Sequence, residues 1–256
     1  MKRVVIVGGA GRMGQALAEG LGALEDLTVV GLVDVNEPRE LFSARFARSL
    51  DDFDASGVDV VVDFSNPDGV VASAAWCAAH SCPLVVGATG LDRDQMSNVE
   101  AASERAGVII ASNYCVGAVL SERFAAMAAP YFSRVEIIEL HHDQKRDAPS
   151  GTSLTSAHAI IDARRRAGLE PAVDPTERFT LEGTRGGDAG DGVRIHSVRL
   201  PGLVAHQEIL FGGPGEGLTI RHDSFDRTSF VQGVALAVRA VSPTAQLTVG
   251  IDALLA

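Results

Sequence analysis

The chain has 256 residues, 46% of them apolar, and 22 Lys and Arg against 33 Asp and Glu give a formal net charge of −11. That mixture is too apolar for a disordered segment, and the acidic balance argues against a nucleic-acid binder, which needs cations to displace phosphate counterions. An anionic small substrate stays open, because a local basic pocket can sit on an acidic surface.

No run reaches the roughly 18 apolar residues of a membrane span. Val4–Val7 is too short for a signal-peptide core and leads straight into glycines. A cytoplasmic protein with no membrane partner is therefore expected. Cys77, Cys82 and Cys115 lack C-x-x-C spacing and sit among apolar neighbours, so they read as buried reduced thiols and not as a disulfide or a metal site.

The first 110 or so residues alternate β-branched runs with helical patterns. Val4–Val7, Val29–Val33, Val58–Asp63, Leu84–Val86 and Val108–Ala111 are predicted strands, apolar enough to be buried on both faces. Helical spacing recurs at Met13, Leu17, Leu21 and Leu24, again after Asn66-Pro67-Asp68, and from Asp92 to Arg105. Strand–helix–strand repetition predicts a doubly wound α/β domain with a parallel sheet.

The style then changes. A helix is predicted over Ala118–Ala129, a strand over Val135–Leu140, a polar loop over His141–Thr152, and a helix ending near Gly168. Three further strands, His196–Leu200, His206–Phe211 and Gly217–His222, are separated by Gly- and Pro-rich turns. Gly183–Gly192 is expected to be a mobile surface loop, Ser229–Val241 a helix and Leu247–Ile251 a final strand. The whole reads as α/β, with a second α+β domain on a mixed or antiparallel sheet. The expected domains are residues 1–114, completed by 225–256, and residues 115–224.

Gly9-Ala10-Gly11-Arg12-Met13-Gly14 fits G-x-G-x-x-G, follows a strand and opens a helix. The first glycine permits the tight turn, the second lets backbone approach a pyrophosphate, and the third lets helix and sheet pack closely. At the end of the second strand stands Asp34, where an acidic side chain would accept bonds from the adenine ribose. This context predicts a Rossmann-type dinucleotide site. Asp34 repels a 2′-phosphate and favours NADH, while Arg39 keeps NADPH in play. The turns Gly87-Ala88-Thr89-Gly90 and Ala111-Ser112-Asn113-Tyr114 follow the fourth and fifth strands, at the sheet edge where ligands bind. Ordinary turn chemistry accounts for them equally well.

The segment Glu139-Leu140-His141-His142-Asp143-Gln144-Lys145-Arg146-Asp147-Ala148-Pro149-Ser150-Gly151-Thr152 places two histidines and a lysine ahead of a helix start. Protonatable groups beside backbone donors and a positive helix end suit a carboxylate substrate and proton transfer. A polar surface loop before a Ser-capped helix is the plainer alternative. A metal site from His141, His142 and Asp143 is disfavoured, because neighbours on an extended strand point to opposite faces.

These residues carry a resemblance. The sequence resembles the dihydrodipicolinate reductase family over nearly its whole length. Gly8–Gly14 is similar to the family's nucleotide loop, Asp63-Phe64-Ser65-Asn66-Pro67 to its D-F-[ST]-x-P segment, and Glu139–Thr152 to its E-x-H-H-x-x-K-x-D-A-P-S-G-T signature. Gly202–Glu208, Ile220–Ser224 and Arg227–Gly233 continue the match. The resemblance implies NAD(P)H-dependent reduction of 4-hydroxy-tetrahydrodipicolinate, in the diaminopimelate route to lysine. It implies His141 as proton donor or acceptor and Lys145 as proton donor. His142, Ser150, Gly151 and Thr152 would hold the substrate carboxylates. Cofactor contacts are implied at Gly8, Gly9, Ala10, Gly11, Arg12, Met13, Asp34, Gly87, Ala88, Thr89, Ala111, Ser112, Asn113 and Tyr114. A homotetramer associating through second-domain sheets is implied as well. Ala88 departs from the family's usual G-T-T-G, and Cys115-Val116-Gly117-Ala118 is a variant stretch. Two other readings compete: a different two-domain NAD(P)-dependent reductase of a small carboxylate, and a nucleotide-sensing protein without catalysis.

Overall fold

Four consecutive apolar residues, Val4 to Val7, cannot all face one side of a strand, so they demand apolar cover on both faces. The computed structural model, which describes residues 1–255, gives them that cover: Val4, Val5 and Ile6 are fully buried. The chain forms two units, Met1–Val116 with the segment from Arg227 onward, and Gly117–Asp226.

In chain order, the first stretch comprises β1 (Lys2–Val7), α1 (Arg12–Gly22), β2 (Leu27–Val33), β3 (Arg45–Ala47), β4 (Val60–Asp63), α2 (Pro67–His80), β5 (Leu84–Val86), α3 (Arg93–Ser103) and β6 (Gly107–Ile110). Next come α4 (Val116–Ala128), β7 (Arg134–His141), α5 (Gly151–Arg166), β8 (Gly187–Asp188), β9 (Arg194–Arg199), β10 (Ala205–Gly213) and β11 (Glu216–Ser224). The chain closes with α6 (Val231–Ala240) and β12 (Gln246–Val249).

The first unit holds a seven-stranded parallel sheet in the order β12-β6-β5-β4-β1-β2-β3. Strand order reverses between β1 and β4, which makes the carboxyl ends of those strands the place for a ligand. Local signals start and stop the helices. Asn66 caps α2 by accepting from the Gly69 N–H at 3.1 Å, with Pro67 in the first turn. Asp92 and Gln95 form a reciprocal capping box on α3.

In the second unit the sheet order is β11-β10-β7-β9-β8, with β7 and β9 parallel and the other pairs antiparallel. Odd-numbered residues of β7 share one face. Val135 and Ile137 pack there with Ile195, Ile209 and Phe211 against Ile160 and Ile161 of α5. Burying each such side chain contributes about 1.5–3 kcal/mol.

Two short strands depart from the expected elements. β3 is a three-residue strand with an exposed, polar first residue, too short to show a period. β8 lies inside Gly183–Gly192, where Gly187 and Asp188 pair antiparallel with Ile195 and Arg194, so that stretch is partly sheet and not wholly loop. No helix among the described residues is long and apolar enough to cross a membrane.

Candidate active site

The glycine turn after β1 is shaped by contacts that leave no room for side chains. Gly8 takes φ +81°, and a Cβ there would stand 2.8 Å from the Phe64 carbonyl carbon. A Cβ on Gly14 would stand 2.8 Å from the Cα of Gly9, so only glycine lets α1 approach the turn. Gly11 caps α1 without a side-chain hydrogen bond, which leaves the helix's positive end to backbone N–H groups. Asp34 lies just past β2. Its Oδ2 accepts the Ala10 N–H at 3.0 Å and its Oδ1 accepts the Asn36 N–H at 3.0 Å. The carboxylate thus ties the end of β2 to the turn after β1.

A pocket of about 550 Å³ opens here, lined by Gly8, Asp34, Arg48, Phe64 and Trp76 among others. The cramped glycines, the helix start and Asp34 fit the pyrophosphate and ribose of a dinucleotide. Arg48, which follows β3, is the cation in that lining, and Arg39 is not part of it. Sequence reasoning missed Arg48, because β3 itself was invisible.

The two further turns divide. A Cβ on Gly87 would meet the Phe64 ring, 2.6 Å from Cε2, so backbone and ring are in close contact. Thr89 and Ser112 are exposed, Ala88 and Ala111 buried. Tyr114 is 1% exposed, and its hydroxyl donates to the Val86 carbonyl at 2.8 Å. Burial pushes the phenol's pKa well up. Its side chain therefore braces β5 and β6, and any cofactor contact from Tyr114 is through backbone. Arg12 is exposed and Met13 half-buried at the start of α1.

The second unit assembles the histidine–lysine segment around one strand face. The face that carries Val135 and Ile137 continues as Glu139 and His141, so a single two-residue period runs from apolar core to polar site. Pairing sets Ser197 and Gln207 on either side of Glu139, and Arg199 and Ala205 on either side of His141. Glu139 is fully buried. Arg199 grips it with both ends of the guanidinium, Nη1 to Oε2 and Nη2 to Oε1, each at 2.8 Å. His141 Nδ1 is hydrogen-bonded to Glu139 Oε2. Burial pushes the Glu139 pKa up, but Arg199, Ser197 and His141 together outweigh it, and the carboxyl ends below its ordinary value. His141 is also lowered, because burial outweighs the pull of Glu139.

Past His141 the chain turns, with the Lys145 N–H donating to the His142 carbonyl at 3.2 Å. Lys145 Nζ rests on the Asp147 carboxylate at 2.8 and 2.9 Å. Arg199 Nη2 also donates to the Asp147 carbonyl at 2.8 Å, so one guanidinium fixes both the His141 strand and the Lys145 loop. His142, just past the end of β7, is exposed. Ser150 caps α5, accepting the Ser153 N–H at 3.2 Å, and is only 4% exposed. Its hydroxyl is engaged inside the fold, so a carboxylate at this helix start would meet Gly151 and Thr152 first. Beneath the cap, Ser153 donates to Gln207 Oε1 at 2.6 Å, and Gln207 Nε2 donates to Ser156 at 3.0 Å.

Known proteins resemble this chain over nearly its whole length. The model of the dihydrodipicolinate reductase N-terminus matches residues 2–114, and that of its C-terminus matches residues 117–255. The chain belongs to the dihydrodipicolinate reductase family. Within the family, the 4-hydroxy-tetrahydrodipicolinate reductase of Nocardia farcinica is 48% identical over 253 residues, 98% of this chain and 97% of that protein. The protein of the same name from Mycolicibacterium smegmatis is 47% identical over 256 residues, covering 99% and 98%. A dipicolinate-bound dihydrodipicolinate reductase from Paenisporosarcina sp. TG-14 superposes with a TM-score of 0.87 at 38% identity, over 99% of each chain. Membership in this dihydrodipicolinate reductase family makes the chain an oxidoreductase of the NAD(P)-binding Rossmann type.

Glu139, Asp147 and Arg199 are the members of this cluster that sequence reasoning left without a role. The first had a legible signal, since positions two apart on a strand share a face. Arg199 had none without the register of β7 on β9.

Proposed function

We propose that this chain reduces 4-hydroxy-tetrahydrodipicolinate to tetrahydrodipicolinate with a nicotinamide cofactor, in the diaminopimelate route to lysine. The observation that carries the reading is the Glu139–Thr152 segment. It carries His141, Lys145 and the start of α5 within one short stretch, on a chain whose relatives bear that reductase's name, and this supports the reading.

When bound, the nicotinamide supplies the hydride that the reduction needs. The glycine turn and the start of α1 would hold its pyrophosphate, and Asp34 its ribose. Gly151 and Thr152 would receive a substrate carboxylate at the positive end of α5. Lys145 Nζ, charged and held by Asp147, donates the proton that balances hydride addition and the departure of the hydroxyl as water. His141 serves as proton acceptor or donor through Nε2. His142, on the loop beyond β7, adds a polar edge to the carboxylate site.

The same reading makes both NADH and NADPH usable, with NADH favoured. Asp34 suits a free ribose, and Arg48 in the same lining suits a 2′-phosphate. It assigns Met1–Val116 to the cofactor and Gly117–Asp226 to substrate and assembly. Support for a homotetramer comes from the second sheet's other face, where half-buried Ile138, Leu140, Val198 and Leu210 stand opposite the helix-packed side. Buried free cysteines support a reducing, cytoplasmic setting.

The test is a coupled assay in which substrate is generated enzymatically and nicotinamide absorbance is followed. Substrate-dependent loss of absorbance supports the reading, and no turnover with either cofactor overturns it. Light scattering on the eluting peak of a sizing column tests the tetramer.

A further inference from the structure

A histidine near neutrality carries its single proton on one of two ring nitrogens, and the hydrogen bond at one nitrogen decides what the other can do. In this chain that bond is made by a residue with no assigned role. Glu139 is fully buried, which would be costly for an unpartnered carboxylate. Its partners are both Arg199 Nη groups at 2.8 Å, the Nδ1 of His141 and the Ser197 side chain. An ionised carboxylate only accepts, so Nδ1 must carry the proton.

We propose that Glu139 and Arg199 form a positioning pair that fixes the tautomer of His141, leaving Nε2 as the unprotonated nitrogen available to substrate. Arg199 keeps Glu139 ionised by its two-pronged bond, and Glu139 in turn orders the imidazole. Because Arg199 also donates to the Asp147 carbonyl, the pair sets the loop that carries Lys145 in register with His141. Neither residue needs to touch substrate. This inference rests on the reading of His141 as the proton-handling residue given above.

The groups acting on His141 are Glu139 on its own strand, Arg199 on β9, and Lys145 on the loop, itself paired with Asp147. Glu139 raises the imidazole's pKa, whereas burial, Lys145 and Arg199 lower it. Replacing the carboxylate by a neutral amide therefore removes the one group that favours the imidazolium.

The experiment is Glu139→Gln on the full chain, read three ways. Nitrogen-15 NMR of the histidine rings in the wild type should show His141 protonated at Nδ1, and in the variant a mixture of both tautomers. The kcat should fall at least about tenfold, with substrate KM within about threefold, as expected for loss of a proton-transfer arrangement. The acid limb of kcat/KM should move to lower pH. Glu139→Asp, which keeps a carboxylate, should recover part of kcat. A wild-type spectrum with the proton on Nε2, or a variant with unchanged tautomer and pH profile, overturns the proposal. Should Glu139→Gln fail to fold, the wild-type spectrum decides alone. The NMR readout needs no substrate, so a failed turnover assay and a failed tautomer assignment are distinguishable.

Discussion

The backbone N–H of Ala10 donates to Asp34 Oδ2 at 3.0 Å, joining the glycine turn after β1 to the end of β2. A second bond, from the Asn36 N–H to Oδ1, holds the same carboxylate at 3.0 Å. Asp34 is thus fixed in place by two backbone donors, and on the proposed reading its charge disfavours a 2′-phosphate. Removing it should both loosen the turn and relax the choice of cofactor. For Asp34→Ala, the ratio of kcat/KM for NADH over NADPH should fall at least about tenfold, which corresponds to about 1.4 kcal/mol. Arg48→Ala should move the ratio the other way by weakening NADPH. Steady-state kinetics with both cofactors checks this, and ratios unchanged in both variants would place selectivity elsewhere.

Gly14→Ala tests the closeness of α1 to the turn. Its Cβ would lie 2.8 Å from the Gly9 Cα, and backbone on both sides cannot move aside cheaply. Overpacking of this kind costs about 1–3 kcal/mol. The variant should melt at lower temperature and bind NADH at least about tenfold more weakly by calorimetric titration. Wild-type affinity in the variant would mean the turn has slack that the geometry does not show.

Lys145 is held by both oxygens of Asp147, an exposed carboxylate. If the ammonium donates the proton, Lys145→Ala should lower kcat by on the order of 100-fold and change KM for the dicarboxylate little. A large rise in KM with kcat preserved would make Lys145 an anchor for substrate charge.

Much of this site was legible because its chemistry is local. The glycine turn, Asp34 and the Glu139–Thr152 segment each declare themselves within a few residues, and β1, β2, β5 and β7 announce themselves by continuous or alternating apolar runs. What stayed hidden depends on pairing between distant segments. Arg199 is an arginine at the end of an unremarkable strand until β9 lies parallel to β7 and sets it beside His141. Arg48 follows a three-residue strand whose only reason to be a strand is its pairing with β2. Ser150 carries two signals at once: its place before a helix is a capping signal, and its hydroxyl accepts the Ser153 N–H, so the structure gives it a capping role beside the substrate contact expected of it.

The last test concerns the polar network under that cap. Gln207 is 6% exposed and bridges two hydroxyls of α5, accepting from Ser153 at 2.6 Å and donating to Ser156 at 3.0 Å. Gln207→Leu nearly conserves volume but takes the Gln207 amide from the buried Ser156 hydroxyl and leaves Ser153 bonded to Ser150 alone, which should cost about 1–3 kcal/mol. The loss should appear as a lower urea midpoint. Substrate KM should rise too, because Ser153 is bonded to the Ser150 cap that fixes the start of α5. Removing Gln207 together with the two hydroxyls it bonds, Gln207→Leu with Ser153→Ala and Ser156→Ala, takes away the groups left unsatisfied and should recover most of the stability. Substrate KM should stay high in the triple variant, since the cap has lost its support. If stability returned together with wild-type KM, the network would be a packing device with no part in placing the carboxylate site.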